Sequence, residues 1–212
     1  MNLSDEKSEI LDGVEYRYST DWIHSLENED HWRLYWHQMD FIKNELNQND
    51  SILEIGMGSG FLSNYLKSKE FNVTTLDIDA GKHPNIATNI VSYDFYTQYD
   101  HIIAFEVFEH IPFDKFVLIL PKLKKACRKN IFISLPRNYK ILFRTEIIFP
   151  LIKKVAFSVK CKRNKIIAGH HFWELDYREY TMRKLEEVID SAGLKIIRKK
   201  KMDLLIFIQI KE

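Results

Sequence analysis

Residues 52–62 read ILEIGMGSGFL, and this stretch decides the fold class of the chain. An apolar run leads into three glycines at alternate positions, Gly56, Gly58 and Gly60, and then into a helical pattern. Glycine is favoured there because the chain must turn sharply with positive φ angles, and because its backbone can approach a ligand without a Cβ in the way. The stretch therefore predicts a strand, a tight turn, and a helix whose free N–H groups point at the turn.

Outward from this turn, short β-branched runs alternate with longer helical patterns, which is typical of βαβ units in a mostly parallel sheet. The predicted strands are 51–55, 72–76, 89–91, 100–105, 130–134, 194–200 and 204–210, and the predicted helices are 30–46, 60–69, 114–128 and 181–192. A chain of 212 residues fits one domain, which we place at residues 30–212.

Two segments depart from the alternation. Residues 1–29 are polar and acidic, and we expect a partly irregular arm there. Residues 137–175 interrupt the pattern after the fifth strand, and we expect them to cover the acceptor pocket as a lid. The part from 137 to 165 is strongly basic, with Glu146 as its single acid. Three interpretations of this part remain open: a solvated lid, a face for an anionic acceptor, and a peripheral membrane contact.

Composition and charge narrow the class of protein. A formal net charge of +1 gives no global attraction to nucleic acid. The first residues, MNLSDEKSEI, do not have the pattern of an export signal, and no run of about 18 apolar residues follows. Cys127 and Cys161 share no metal-binding or redox spacing. We therefore expect a cytoplasmic protein with two free thiols.

The glycine turn carries a family resemblance. Glu54-x-Gly56-x-Gly58-x-Gly60 resembles motif I of the class I S-adenosylmethionine-dependent methyltransferases. A dinucleotide-binding turn would instead have its last glycine where Phe61 stands, so the spacing disfavours a nicotinamide-dependent oxidoreductase on a related fold. Asp77 follows at the end of the second strand, near the roughly 20-residue distance of a nucleoside-binding βαβ unit. An acid there can accept two hydrogen bonds from a ribose diol, and the resemblance assigns Asp77 that role.

Two later motifs extend the resemblance. Asp94 stands where the family's third motif has a carboxylate that accepts from the adenine amino group, although a turn Asp explains it almost equally well. Residues 105–111, FEVFEHI, are similar to the run after strand four in small-molecule methyltransferases, where Glu106 would back the methionine part of the cofactor. Glu109 and His110 could act on the acceptor, or they could cap a helix and pack at the strand end.

The resemblance implies a doubly wound, seven-stranded Rossmann-like α/β sheet of order 3-2-1-4-5-7-6, whose last strand is antiparallel. It implies S-adenosylmethionine as cofactor, S-adenosylhomocysteine as product, and a small-molecule acceptor, and it points to the type 11, ubiquinone-biosynthesis-like branch. The chain lacks the N-P-P-Y-like or P-C run of the nucleic-acid branches. A methyltransferase-like binding protein without turnover is the alternative.

Two aromatic clusters bear on the acceptor side. His170 and His171 follow the fifth strand, and we expect one of them to face the acceptor as a base or hydrogen-bond donor. We expect no metal, because adjacent histidines on an extended loop point opposite ways and no third ligand has a zinc-like spacing. On the first helix, Trp32, Tyr35 and Trp36 either cover the sulfonium or pack against the sheet, and packing is favoured.

Overall fold

The computed structural model describes residues 6–21, 23, 26, 28–149, 152–166 and 168–212. A seven-stranded sheet runs through the molecule, in the order β5 (Ile86–Ala87), β4 (Asn72–Asp77), β3 (Ser51–Ile55), β6 (Tyr99–Phe105), β7 (Cys127–Pro136), β11 (Leu205–Lys211) and β10 (Lys195–Lys201). The first five strands of this order are parallel, and β11 is antiparallel to both β7 and β10. The predicted fold class and strand order are confirmed.

Four helices cover the two faces of the sheet. They are α1 (Glu29–Ile42), α2 (Phe61–Ser68), α3 (Phe113–Ala126) and α4 (Met182–Ser191). Ile52 packs with α1 and α2 in one buried cluster, whereas its neighbour Leu53 packs with α3 and α4 in the other, as the alternation of side chains along a strand requires. In the described ranges, no helix is long and apolar enough to span a bilayer.

The third predicted strand is misplaced. Residues 89–91 form a turn, and the paired residues are those of β5, three positions earlier. The Asn89 side chain accepts a hydrogen bond from the Val91 N–H at 3.0 Å, which closes a turn of the kind that Asn favours.

The amino-terminal segment is a β-hairpin, so the prediction of an irregular arm is wrong for residues 7–18. β1 (Lys7–Leu11) pairs with β2 (Val14–Tyr18) across a two-residue turn with left-handed backbone at Asp12 and Gly13. Residues 1–5 of the predicted arm lie outside the described residues. Lys7 and Thr20 both bond the buried Asp79, at 3.3 and 2.5 Å, and this ties the hairpin to the loop after β4.

The basic insertion is a second hairpin. β8 (Tyr139–Phe149) pairs with β9 (Ile152–Lys162) in a two-stranded sheet of its own. Residues 150, 151 and 167 of the insertion lie outside the described residues. The hairpin exposes several large apolar side chains among its lysines and arginines: Leu142, Phe143, Ile147, Phe157 and Val159.

Candidate active site

A cavity of about 530 Å³ lies at the carboxyl ends of β3, β4 and β6. In this sheet order, β3 and β6 flank the point where the chain reverses its winding direction, which is where doubly wound proteins bind ligands. The predicted residues that line the cavity are Glu54, Gly56, Gly58, Asp77, Glu106, His110, His170 and His171. Tertiary folding thus brings most of the predicted site to one place.

The glycine turn forms the floor between β3 and α2. Gly56, Gly58 and Gly60 have φ angles of 73°, 56° and 75°, all in the left-handed region that other residues resist. A Cβ at Gly56 would also collide with the Val107 side chain. The Gly56 N–H donates to the Leu76 carbonyl at 2.7 Å, so the turn holds the ends of β3 and β4 together.

Glu54 is a buried carboxylate on β3 with an unused oxygen. Its Oε2 has no hydrogen-bond partner among the described residues. Burial raises the pKa of Glu54 to about 8. A buried polar atom without a partner is uncommon in a folded protein, and here it borders the cavity.

Asp77 ends β4 and is almost completely buried. Its carboxylate accepts from the Asp79 N–H at 2.9 Å and pairs with the Lys82 ammonium at 3.2 Å. Lys82 also lines the cavity and is itself buried, with 8% of its side chain exposed. The acid proposed for the ribose therefore stands at the cavity wall with a cation beside it.

Asp94 does not reach the cavity. Its side chain is 71% exposed and pairs with Lys122 at 2.9 Å. The turn at 89–91 brings the segment from Thr88 to Ile90 to the cavity instead. The assignment of Asp94 to the adenine is therefore corrected, because the third strand ends earlier than the sequence pattern indicates.

The motif after β6 contributes two acids, Glu106 and Glu109, and one base, His110, to the cavity wall. Glu106 has a left-handed φ of 54°, and its Oε1 accepts from the Ser134 hydroxyl at 2.7 Å. Glu109 is fully buried, and neither of its oxygens has a hydrogen-bond partner among the described residues. Burial raises the pKa of Glu106 and that of Glu109. Burial also lowers the pKa of His110 to about 3, helped by His171 and His170.

His110, His170 and His171 come together at one edge of the cavity. The His110 ring lies 4.9 Å from the His170 ring and 4.8 Å from the His171 ring, centroid to centroid. His170 and His171 therefore have a third nitrogen beside them, contrary to the expectation from sequence spacing, and it comes from His110 in the turn after β6. His171 Nδ1 lies 2.8 Å from the buried Glu174 carboxylate.

The cavity also has walls that the sequence argument missed. The amino-terminal hairpin contributes Tyr16 and Arg17, and α1 contributes His31, Tyr35 and Gln38. The Asp12-Gly13 dipeptide between two alternating runs was the signal for that hairpin.

The aromatic residues of α1, for which the sequence left two interpretations open, differ in their positions. Tyr35 stacks on Phe61 and contacts the Ser59 hydroxyl at 2.8 Å. Trp32 and Trp36 are 52% and 60% exposed and do not line the cavity. Among these three aromatics, Tyr35 is therefore the one placed to contact a ligand.

The β8–β9 hairpin is not the predicted lid. From the segment 137–175, the cavity is lined by His170 and His171, and no described residue of the hairpin contributes. The hairpin instead contacts the last turn of the chain, where Lys160 pairs with Asp203 at 2.8 Å. The loop after the hairpin, which carries His170 and His171, lines the cavity instead.

Comparison with known structures agrees with this architecture. An S-adenosylmethionine-dependent methyltransferase from Clostridium acetobutylicum has 12% identity and a TM-score of 0.57, with 89% of this chain and 94% of that chain covered. The CcbJ methyltransferase from Streptomyces caelestis has 13% identity and a TM-score of 0.60, covering 91% and 95%. Magnesium protoporphyrin IX methyltransferase from Synechocystis PCC 6803 has 11% identity and a TM-score of 0.59, covering 92% and 86%. At these identities the likeness concerns the fold.

Sequence comparison supplies the family. No curated protein matches this chain. A family model described as "Methyltransferase domain" matches residues 24–135, which is more than half of the chain and contains the glycine turn and Asp77. The model does not distinguish a branch, so the ubiquinone-biosynthesis-like branch stays a prediction. With the glycine turn, the acid after the second strand and the strand order all in place, the chain belongs to the methyltransferase domain family.

Proposed function

We propose that this chain transfers a methyl group from S-adenosylmethionine to a small-molecule acceptor. The observation that carries the proposal is the convergence of the left-handed glycine turn with the buried carboxylates of Glu54 and Asp77 on one cavity. The cavity volume lies within the usual range of small-molecule sites, which is roughly 300–1,000 Å³.

The residues present fit this cofactor. Asp77 offers a buried acceptor to a ribose diol, and the unpartnered oxygen of Glu54 can accept from a polar or cationic group of the same ligand. A Cβ at Gly56 would collide with the Val107 side chain, so only backbone fits at this point of the cavity lining. When bound, S-adenosylmethionine supplies a methyl group that its sulfonium has already activated.

The chain's own contribution is then to exclude water and to align the acceptor. Tyr16 of the amino-terminal hairpin and Tyr35 of α1 wall the cavity from solvent. The histidine cluster lies at the same cavity edge as Glu109, and we propose that this edge receives the acceptor. Alignment of reacting groups can supply about 7–11 kcal/mol of a barrier, and a positioned base adds about 10²- to 10⁴-fold.

Two ligand titrations and one product assay test the proposal. In calorimetry, S-adenosylhomocysteine should bind with one site per chain, while NADH should not bind. Release of S-adenosylhomocysteine in the presence of fractionated metabolites should then identify the acceptor. Binding without any turnover would favour the methyltransferase-like binding protein, and binding of NADH alone would overturn the proposal.

The charge of the chain and its exposed surface bear on possible binding partners. We expect no nucleic acid partner, because the net charge of +1 gives no general attraction to phosphates. The exposed apolar and basic β8–β9 hairpin is the surface for the predicted contact with an anionic acceptor or membrane. A cytoplasmic location also stays a prediction.

A further inference from the structure

The histidine cluster has the composition of a metal site. His110, His170 and His171 each offer one ring nitrogen, and these three atoms lie within 4.8 Å of one another. Three nitrogens of a tetrahedral site with Zn–N bonds of 2.0–2.1 Å would lie about 3.3 Å apart. The ring nitrogens therefore need to approach by up to about 1.5 Å, and the His170 ring, which stacks nearly parallel on the His110 ring, must also rotate so that both lone pairs point at one ion. His170 is exposed and has room for this rotation.

The two segments that carry these histidines are fixed to each other. The buried Trp173 indole N–H donates to the carbonyls of Phe108 and Ile111, both at 3.0 Å, and so brackets His110. The Phe172 N–H donates to the Glu109 carbonyl at 2.8 Å. These bonds hold the loop after β9 against the turn after β6, so the backbone positions of the three histidines are fixed relative to one another.

A carboxylate orients one of the rings. Glu174 Oε1 lies 2.8 Å from His171 Nδ1, and Glu174 Oε2 accepts from the buried Asn138 amide at 2.6 Å. A carboxylate on Nδ1 requires the proton there, which leaves the lone pair on Nε2. Metal-binding histidines usually have such a partner.

We propose that His110, His170 and His171 bind one divalent transition-metal ion, of which Zn²⁺ is the representative. Imidazole donors select Zn²⁺, Co²⁺, Ni²⁺, Cu²⁺ and Fe²⁺ over Mg²⁺ and Ca²⁺. The fully buried Glu109, whose oxygens have no hydrogen-bond partner among the described residues, lines the same cavity beside His110. Three protein ligands leave an open coordination position.

The open position faces the cavity, and its use rests on the proposed function. A coordinated donor atom of the acceptor would be held at the cavity edge that the three histidines line. The histidines would then act on the acceptor through the ion, and not as a free base. This narrows the acceptor class to small molecules with an oxygen, nitrogen or sulfur atom that can coordinate a transition-metal ion.

Metal titration of the whole chain tests the inference without any activity assay. After chelator treatment and gel filtration, Zn²⁺ titration should give one tight site per chain. Co²⁺ at one equivalent should give the visible absorption of a low-symmetry nitrogen site. The variant His170→Ala changes an exposed residue and should still fold, and it should weaken Zn²⁺ binding at least 100-fold. Glu174→Gln should weaken it about 10- to 100-fold.

His83→Asn is the matched control, because His83 is exposed and outside the cluster. Its Zn²⁺ affinity should equal that of the unmodified chain. Absence of a stoichiometric Zn²⁺ site, or equal affinity in the His170→Ala variant, would overturn the inference. A parallel titration of the unmodified chain with S-adenosylhomocysteine separates the two proposals. If the chain binds Zn²⁺ but does not bind S-adenosylhomocysteine, the proposed function is contradicted and the metal site is not.

Discussion

Asp77→Ala is the sharpest test of how the cavity holds a nucleoside. The side chain is almost fully buried at the end of β4 and is expected to accept two hydrogen bonds from a ribose. Hydrogen bonds to a charged group contribute about 1.5–3 kcal/mol each, so the variant should lose about 3–6 kcal/mol of binding free energy. At about 1.4 kcal/mol per factor of ten, this is a 10²- to 10⁴-fold weaker affinity for S-adenosylhomocysteine.

Asp77 also carries a structural cost that the experiment must separate. Removing the acid leaves Lys82 buried without this partner, and breaking a buried pair costs about 3–5 kcal/mol of stability. Asp77→Asn keeps the volume and one acceptor oxygen, and it should weaken binding by a smaller factor while the fold is retained. Thermal denaturation of each variant shows whether the protein measured is folded.

Calorimetric titration with S-adenosylhomocysteine gives the affinities, and Asp94→Ala is the matched control. Asp94 is an exposed acid outside the cavity, so its replacement should leave the affinity unchanged. If folded Asp77→Ala binds within threefold of the unmodified chain, Asp77 does not hold the ribose. If Asp94→Ala loses as much affinity as Asp77→Ala, Asp94 contacts the cofactor despite its exposed position.

Four further outcomes follow from the same structure. Gly58→Val should abolish S-adenosylhomocysteine binding in a protein that circular dichroism shows to be folded, because Gly58 has a φ of 56° and lines the cavity; normal binding would limit the glycine to a role in the turn. Trp173→Phe removes the indole donor from the Phe108 and Ile111 carbonyls and should cost about 1–3 kcal/mol, with Tm lower by about 2–4 °C for each kcal/mol; an unchanged Tm would contradict the bracketing role. Burial raises the pKa of Glu54 from 4.5 to about 8, so the folded chain binds the carboxyl proton of Glu54 more tightly than the unfolded chain does. The contribution of the protonated carboxyl to the free energy of unfolding is therefore complete below pH 4.5 and is lost as the pH rises through 8. Glu54→Gln should therefore flatten the fall of Tm with pH over this range, and a parallel pH profile would refute the assignment. Replacing the exposed Phe143 and Phe157 by Ser should reduce co-sedimentation with anionic lipid vesicles if the β8–β9 hairpin contacts membranes, and equal sedimentation would remove that interpretation.

Local chemistry made the central part of the fold predictable. The strand, turn and helix at 52–62 follow from the φ angles that three glycines allow, and φ preference is a property of each residue. The sheet order follows from family resemblance and from the short right-handed connections that parallel strands require. The hairpin β1–β2 was also readable, since Asp12-Gly13 between alternating runs is a strong local turn signal. The acidic composition of residues 1–29 indicated an irregular arm instead, because composition bears on solubility and does not predict which strands pair.

Contacts between distant segments were decided by the tertiary structure. The sequence placed His170 and His171 on a loop, but their meeting with His110 depends on Trp173 bonding two carbonyls about 60 residues away. The basic segment contained no signal that it would pair with itself beside the sheet and leave the cavity to the following loop. By itself the sequence therefore determined the cofactor-side turn, whose geometry is local. The histidine-lined edge of the cavity, which we propose for the acceptor, was decided by packing and hydrogen bonds between segments, which no local pattern encodes.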